Sequence, residues 1–253
     1  RRRARERIAR LHRRLEKITK ERITQRKSRE NELKVAIVGY TNSGKTSLMK
    51  VLTKATITGK DELFATLDAR VRVLDPRTCP KILLSDTVGF IKKLPHSLVE
   101  SFKSTLEEVV HAELLLHVVD ISHSDYLSQM KITQDVLQEI GAGEIPSILV
   151  FNKIDKVNEP FLARILQKKY PHSIVVSAFN PDHVMQLREH IFKYFQEQFS
   201  RSLIRVRSDQ QHLLSYIYRN CVVLKVKYDK EGGLTLDVRA PQSCLERLSK
   251  HLI

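Results

Sequence analysis

The segment Gly39-Tyr-Thr-Asn-Ser-Gly-Lys-Thr46 constrains this chain more than any other part of it. It follows an apolar run, Val35-Ala-Ile-Val38, and precedes a stretch with helical spacing that begins near Lys45. A strand, a GxxxxGK[ST] loop and a helix in that order make the phosphate-cradling P-loop. Gly39 and Gly44 let the backbone curl so that its N–H groups converge on an anion, and the helix N-terminus adds the positive end of its dipole. Lys45 is expected to bridge β- and γ-phosphate oxygens and the Thr46 hydroxyl to ligate Mg²⁺. Tyr40, Thr41, Asn42, Ser43 and Ser47 are expected to complete the lining.

A P-loop demands a sheet buried on both faces, whose strands read as continuous apolar runs. Four further runs meet that demand: Lys81–Leu84, Leu114–Val119, Ser147–Phe151 and Ser173–Val176. Residues 43–54, 97–110, 125–140, 159–170 and 181–199 carry 3.6-residue apolar spacing between them, so the middle of the chain reads β-α-β-α throughout. After about Phe199 the pattern changes. Alternation in Val222–Tyr228 and Leu234–Val238 around Glu231-Gly-Gly predicts a hairpin, and helices over 208–218 and 242–252 would complete a small α+β domain. The expected fold class is therefore α/β, a mostly parallel sheet with helices on both faces. Its expected divisions are a basic helical arm over 1–31, a nucleotide-binding domain over 32–200 and an α+β domain over 201–253.

Three more short motifs fall at the ends of these strands. Asp86-Thr-Val-Gly89 stands where the second Mg²⁺-associated carboxylate of a P-loop NTPase belongs, with Asp86 acting through a water and the Gly89 amide sensing the γ-phosphate. Asn152-Lys-Ile-Asp155 ends the fourth run. Its Asp155 carboxylate can accept both the N1–H and the N2 amino protons of guanine, a donor pair that adenine lacks. Asn152 would support the base and tie back to the P-loop, and the Lys153 stem would cover the ring. Ser177-Ala178 after the last run offers the Ala178 N–H to the guanine O6. The set in this order selects a GTP- and GDP-binding, Ras-like P-loop domain.

Net charge is +15, and its distribution is uneven. Residues 1–30 hold 14 Lys/Arg against 4 Asp/Glu, residues 201–253 hold 10 against 5, and the middle is neutral. Basic flanks around a neutral core suit delivery to a polyanion through phosphate contacts. Ala4, Ile8, Leu11, Leu15 and Ile18 form one narrow helical stripe on the first flank, suited to a partner helix. No run approaches the roughly 18 apolar residues of a membrane span, so membrane insertion is not expected. Cys79, Cys221 and Cys244 lack metal-ligand spacing and read as reduced thiols of a cytosol-like compartment. Histidines such as His96, His111 and His117 read as solvated or core residues.

The chain resembles the HflX family of translation-associated GTPases. The resemblance rests on Gly39–Thr46, Leu63-Phe-Ala-Thr-Leu-Asp68, Asp86-Thr-Val-Gly-Phe-Ile91, Leu94-Pro-His96, Ser101-Phe-Lys-Ser-Thr-Leu-Glu107 and Asn152–Asp155. It implies a protein that binds the large ribosomal subunit, splits stalled or idle ribosomes when GTP-bound, and hydrolyses GTP to leave. It also implies a further N-terminal domain ahead of the basic arm, and it places Thr66 in the first switch, reaching Mg²⁺ and the γ-phosphate. The family pattern continues with Pro-Thr where this chain has Ala69-Arg70. A cytoplasmic monomer is expected, with the mitochondrial matrix or another organelle as the alternative compartment. An assembly or hibernation factor, in which GTP only gates attachment, is the competing function.

Phe90 stands where Ras-like enzymes carry the glutamine that orients the attacking water, so slow intrinsic turnover stimulated by the ribosome is expected. Asn42, three residues before Lys45, stands where potassium-stimulated GTPases carry an asparagine. K⁺ is thus a candidate second cation.

Overall fold

The computed structural model describes residues 10, 31–53, 70–87, 89–90, 106–229 and 233–252. Leu33–Ile253 form one compact unit, to which everything below belongs. The stripe and Arg/Lys run of the first flank, the segment around Thr66 and the Leu94-Pro-His96 motif lie outside the described residues, as does most of the helix expected over 97–110; residues 106–110 are helical.

Six strands form the main sheet: β1 (Leu33–Gly39), β2 (Arg70–Val73), β3 (Ile82–Asp86), β4 (Leu114–Asp120), β5 (Ser147–Asn152) and β6 (Ile174–Val175), in the order β2-β3-β1-β4-β5-β6. Every neighbouring pair is parallel except β2 with β3. The apolar runs are continuous because both faces are covered. On one face α1 (Lys45–Thr53) and α4 (Pro181–Glu197) lay Leu48, Met49, Leu52, Leu187, Ile191 and Phe195 over Val35, Ile37, Leu84, Leu116 and Val150. On the other, α2 (Tyr126–Glu139) and α3 (Leu162–Lys169) cover Ala36, Leu115, Val119 and Phe151 with Leu137, Met130 and Leu166.

The start of α4 shows how local sequence fixes an element. Asn180 has extended backbone, and its side chain accepts hydrogen bonds from the Asp182 and His183 amides at 2.9 and 3.4 Å, while Pro181 fills the first helical turn. This is the N-cap and N1 chemistry that starts a helix.

A second, antiparallel sheet has the order β7-β9-β8, from β7 (Ser200–Val206), β8 (Val222–Tyr228) and β9 (Leu234–Ala240). Among the described residues only its inner face is covered by helices. Helices α5 (His212–Asn220) and α6 (Gln242–Leu252) pack there, sealing Ile204, Val206, Ile217, Leu236, Val238 and Leu248. The hairpin appears where alternation predicts it. Strand β7 was not expected, nor was the short edge strand β2. The helix expected over 208–218 divides into a 3₁₀ turn at Ser208–Gln210 and α5. Among the described residues no helix is long and apolar enough to cross a membrane, and the three cysteines are free thiols.

The two faces of the second sheet give a direct test. Leu236 is fully buried at the centre of its core and Leu203 is 72% exposed on the open face. Leu236→Ala is expected to cost about 2 to 5 kcal/mol of unfolding free energy, whereas Leu203→Ala should stay within about 0.5 kcal/mol of the parent. Urea denaturation monitored by circular dichroism reads both, and similar costs at the two positions would contradict the one-sided core.

Candidate functional site

The carboxyl ends of β1, β3, β4 and β5 open into one crevice, and β1 lies between β3 and β4, where ligands of open α/β sheets collect. Register carries the motifs there: Ile37 is opposite Asp86, Gly39 opposite Val118, and Asp120 opposite Asn152. The Thr87 hydroxyl donates to the Ile37 carbonyl at 2.6 Å and fixes the chain leaving β3 to the end of β1.

The loop Gly39–Thr46 is packed so closely that two of its residues have no substitute. A Cβ on Gly39 would lie 2.2 Å from the Val118 carbonyl oxygen, and one on Gly44 would lie 2.2 Å from Asn152 Nδ2. Both have positive φ, 150° and 93°, which favours glycine independently of space. Asn152 uses that proximity: its Nδ2 donates to the Ser43 carbonyl at 2.9 Å. Lys153, in left-handed backbone, donates to the Asn42 carbonyl at 2.7 Å and pairs with Asp120 at 2.7 Å. Burial opposes ionisation of Asp120, but hydrogen bonds from Lys153 and Ser122 outweigh it and hold the carboxyl below its usual range.

Lys45 is 7% exposed, and its ammonium donates to the Gly39 and Tyr40 carbonyls at 3.2 and 2.8 Å. Burial lowers its pKa to about 8 against the opposing pull of Asp86. The Thr46 hydroxyl donates to Asp86 Oδ2 at 2.8 Å, so the hydroxyl and carboxylate expected at a divalent cation stand together. Gly89 closes over this group. A Cβ there would meet the Thr41 backbone at 2.8 Å and Lys45 Nζ at 2.9 Å. Phe90 is stitched to the loop by Thr41 N–H to Phe90 O at 2.9 Å and Phe90 N–H to Gly39 O at 3.1 Å, while its ring is buried in the core with Val109 and Leu106.

On the far rim, Asp155 is exposed in a 3₁₀ turn, Ile154–Lys156, and Ser177-Ala178 is buried at the end of β6. Ile154 N–H donates to Val176 O at 3.3 Å and so ties the two rims together. The Ser177 amide donates to His183 Nδ1 at 3.1 Å, and its hydroxyl accepts from the Phe179 amide at 3.2 Å. Asn42 and Ser47 are exposed, Ser43 is buried, and Tyr40 and Thr41 are half-buried. The described candidates thus lie at the carboxyl ends of neighbouring strands, tied together by these hydrogen bonds.

Sequence reasoning missed Asp120 and His183, which touch Lys153 and Ser177 without belonging to their motifs, and it gave no role to Thr87 within Asp86–Gly89. Asp120 carried a readable signal, a carboxylate ending an apolar strand as Asp86 does. His117 is a core histidine, 4% exposed, whose pKa falls to about 4 through burial and the nearby Lys45 cation. Among the described residues no group of three or more His, Cys, Asp or Glu could hold a metal ion.

This arrangement suits an anion bound against Lys45 and the amides of the loop. Ser43 Oγ and Asn152 Oδ1 are buried without a hydrogen-bond partner, as polar atoms reserved for a ligand would be. The fold and site define a P-loop GTPase domain, and residues 34–153 match the family described as 50S ribosome-binding GTPase. Over its whole length the chain is 44% identical to the GTPase HflX of Gluconacetobacter diazotrophicus, covering 56% of that protein. Over 97% of its length it is 37% identical to the GTPase HflX of Escherichia coli, covering 58%. A GTP-binding protein from Sulfolobus solfataricus, solved with GDP, is similar over 72% of this chain and 57% of its own, at 31% identity and a TM-score of 0.50. The chain belongs to the HflX family of GTPases, and it spans a little over half the length of these curated relatives.

Burial of Lys45 has a measurable consequence. Between pH 8 and 10.5 the unfolded chain keeps a proton on this lysine that the folded chain has lost, so its contribution to stability rises with pH; below pH 8 the desolvation cost is constant. Without nucleotide, Lys45→Met is therefore expected to be more stable than the parent near neutrality, with a gap that closes toward pH 10.5. Denaturant midpoints across that window check it, and a gap that widens with pH would refute it.

Proposed function

We propose that this chain binds and hydrolyses GTP, and that nucleotide state controls its attachment to the large ribosomal subunit, where it splits stalled or idle ribosomes. The observation that carries the enzymatic half is the assembly of Lys45, Thr46 and Asp86, with the 2.8 Å hydroxyl–carboxylate contact beside a buried ammonium. Lys45 and the loop amides would hold the phosphates, and Thr46 and Asp86 are the residues that would hold Mg²⁺. Bound there, Mg²⁺ would neutralise phosphate charge during transfer. The family resemblance would add Thr66, which lies outside the described residues, to this set. Asp155 chooses guanine, Asn152 and Lys153 brace the base pocket against the P-loop, and the Ala178 amide meets O6. Support for the ribosomal half comes from the matched family and from the HflX relatives.

Phe90 favours an external stimulus for hydrolysis. Its side chain, 1% exposed, offers no donor or acceptor to a water, and it occupies the position after Gly89. Turnover alone should therefore be slow and should rise when 50S particles are added; an unchanged rate would count against the stimulus. The same residue suits the competing function, a factor that GTP merely gates on and off. Sedimentation separates the two. With a non-hydrolysable GTP analogue, excess protein is expected to convert 70S particles into 30S and 50S, whereas co-sedimentation with intact 70S would support gating alone.

Asp155→Asn is expected to lower GTP affinity by about 10²-fold or more, because a paired acceptor facing two donors is replaced by a group that also donates. Xanthosine triphosphate, which presents a carbonyl in place of the 2-amino group, should bind the variant better than GTP does. Retained GTP preference in a competition assay would remove Asp155 from the base pocket. Potassium is the second cation proposed, beside Asn42, and equal hydrolysis rates in K⁺ and Na⁺ would dismiss it.

A further inference from the structure

The second sheet leaves one face open, and its side chains are not those of an ordinary solvated strand surface. Alternation sends Ile204, Val206, Leu236 and Val238 inward, so Arg201, Leu203 and Arg205 of β7 point outward beside Thr235, Asp237 and Arg239 of β9. The register of β8 adds Val222, Lys225 and Lys227, and an irregularity between Val223 and Lys225 exposes Leu224. Three rows cross the sheet: Arg201-Arg239-Val222, Leu203-Asp237-Lys225 and Arg205-Thr235-Lys227.

Half of the ten Lys and Arg residues in 201–253 thus share this face. Its one carboxylate among the described residues, Asp237, is 9% exposed and clamped by Arg201 through two contacts of 2.8 and 2.5 Å. That clamp holds the Asp237 carboxyl below its usual range and cancels its charge locally. At the rim, Asp229 accepts from Arg205 at 3.2 Å. Among the described residues Lys225, Lys227 and Arg239 make no salt bridge and are exposed, with Lys225 facing the Asp237 that Arg201 already clamps. Rows two residues apart are separated by roughly 7 Å and neighbouring strands by roughly 4.8 Å.

We propose that this open face is an RNA-binding platform that holds phosphate groups through Lys225, Lys227 and Arg239. Charge complementarity selects that occupant. Interface cores between proteins are depleted in charge and rich in aromatic side chains; this face has five cations, one neutralised acid and no aromatic residue at its described positions. Leu203 and Leu224 are too few to form an apolar docking patch, but they can lie against sugars between the phosphate contacts. The inference rests on the ribosome-directed reading only for the source of the RNA, since the platform's chemistry is that of any polyribonucleotide.

The test compares the parent with Lys225→Ala/Lys227→Ala/Arg239→Ala and with a control of equal charge loss on α3, Arg164→Ala/Lys168→Ala/Lys169→Ala. Filter binding to deproteinised 23S rRNA is measured over a series of KCl concentrations, and co-sedimentation with purified 50S subunits is run alongside. The platform variant should reduce the slope of log affinity against log salt by about 2 to 3, with affinity falling at least about tenfold. Its melting transition and basal GTP hydrolysis should be unchanged, and the α3 control should stay near the parent. Equal slopes for platform variant and parent, or equal losses in variant and control, would overturn the inference. So would loss of 50S binding with naked-RNA binding intact, because the face would then recognise ribosomal protein. If the parent fails to bind 50S while RNA binding still depends on the platform, the ribosomal reading falls and the platform stands.

Discussion

Lys45 occupies the first position of α1, where the positive end of the helix dipole adds to the cost of removing an ammonium from water. Burial lowers its pKa to about 8 even against the opposing pull of Asp86, so near neutrality the fold holds a charge in a place hostile to it. Two arrangements offset that cost. The loop turns the Gly39 and Tyr40 carbonyls inward to accept from the ammonium, and the chain leaving β3 brings Asp86 close enough to pull the other way. Both demand a tight loop, and a tight loop demands glycine at 39 and 44. The geometry is reasonable for a protein that meets polyphosphate anions, which relieve the strain on the lysine when they bind.

Rigidity around this centre comes from hydrogen bonds between motifs that are far apart in sequence. Asn152 reaches Ser43 across 109 positions, Lys153 reaches Asn42 across 111, and Thr87 reaches Ile37 across 50. Each joins residues at the end of one strand to those at the end of another, so the Asn152–Asp155 segment and the loop Gly39–Thr46 cannot move independently. The Asn152 and Thr87 contacts are buried, and buried hydrogen bonds are worth more than exposed counterparts because water does not compete for them. Removing Asn152 would leave the Ser43 carbonyl without this partner and loosen the loop Gly39–Thr46.

The parallel sheet and its crevice were legible because their demands are local and repeated. A strand buried on both faces must be apolar throughout, and Val35–Val38 and Leu114–Val119 say so directly. Glycine spacing and strand ends then locate Lys45, Asp86 and Asn152. Strand β7 was not legible, because it is an edge strand with one open face, and Arg201-Ser-Leu-Ile-Arg-Val206 gives charges as often as core residues. Strand β2 has the same difficulty, with Arg70 and Arg72 alternating with valines on an antiparallel edge. Asp120 and His183 escaped for another reason: their importance lies in whom they touch, which no spacing within one motif encodes. The charge reading, a basic C-terminal flank, was correct as a sum but blind to arrangement, since it is pairing in the sheet that brings Arg239, Lys225 and Lys227 onto one surface.

The position of Phe90 links the crevice to the surrounding core. Its backbone is bonded on both sides to the P-loop, through Gly39 and Thr41, and its ring is sealed among Ala36, Val38, Leu106 and Val109. Gly89, immediately before it, has no room for even a methyl group against Thr41 and Lys45. A displacement of Gly89 by a phosphate must therefore either break the two backbone bonds of Phe90 or carry the ring with it. Unseating a wholly buried phenylalanine costs on the order of 2 to 3 kcal/mol in lost burial alone, and close-packed cores respond to such a push by discrete repacking rather than gradual bending. Leu106 and Val109 of the helical residues 106–110 pack in the same cluster as that ring and would receive the push. At the proposed nucleotide site, Phe90 would offer no group to orient a water and would couple a phosphate at Gly89 to the helix beyond the ring.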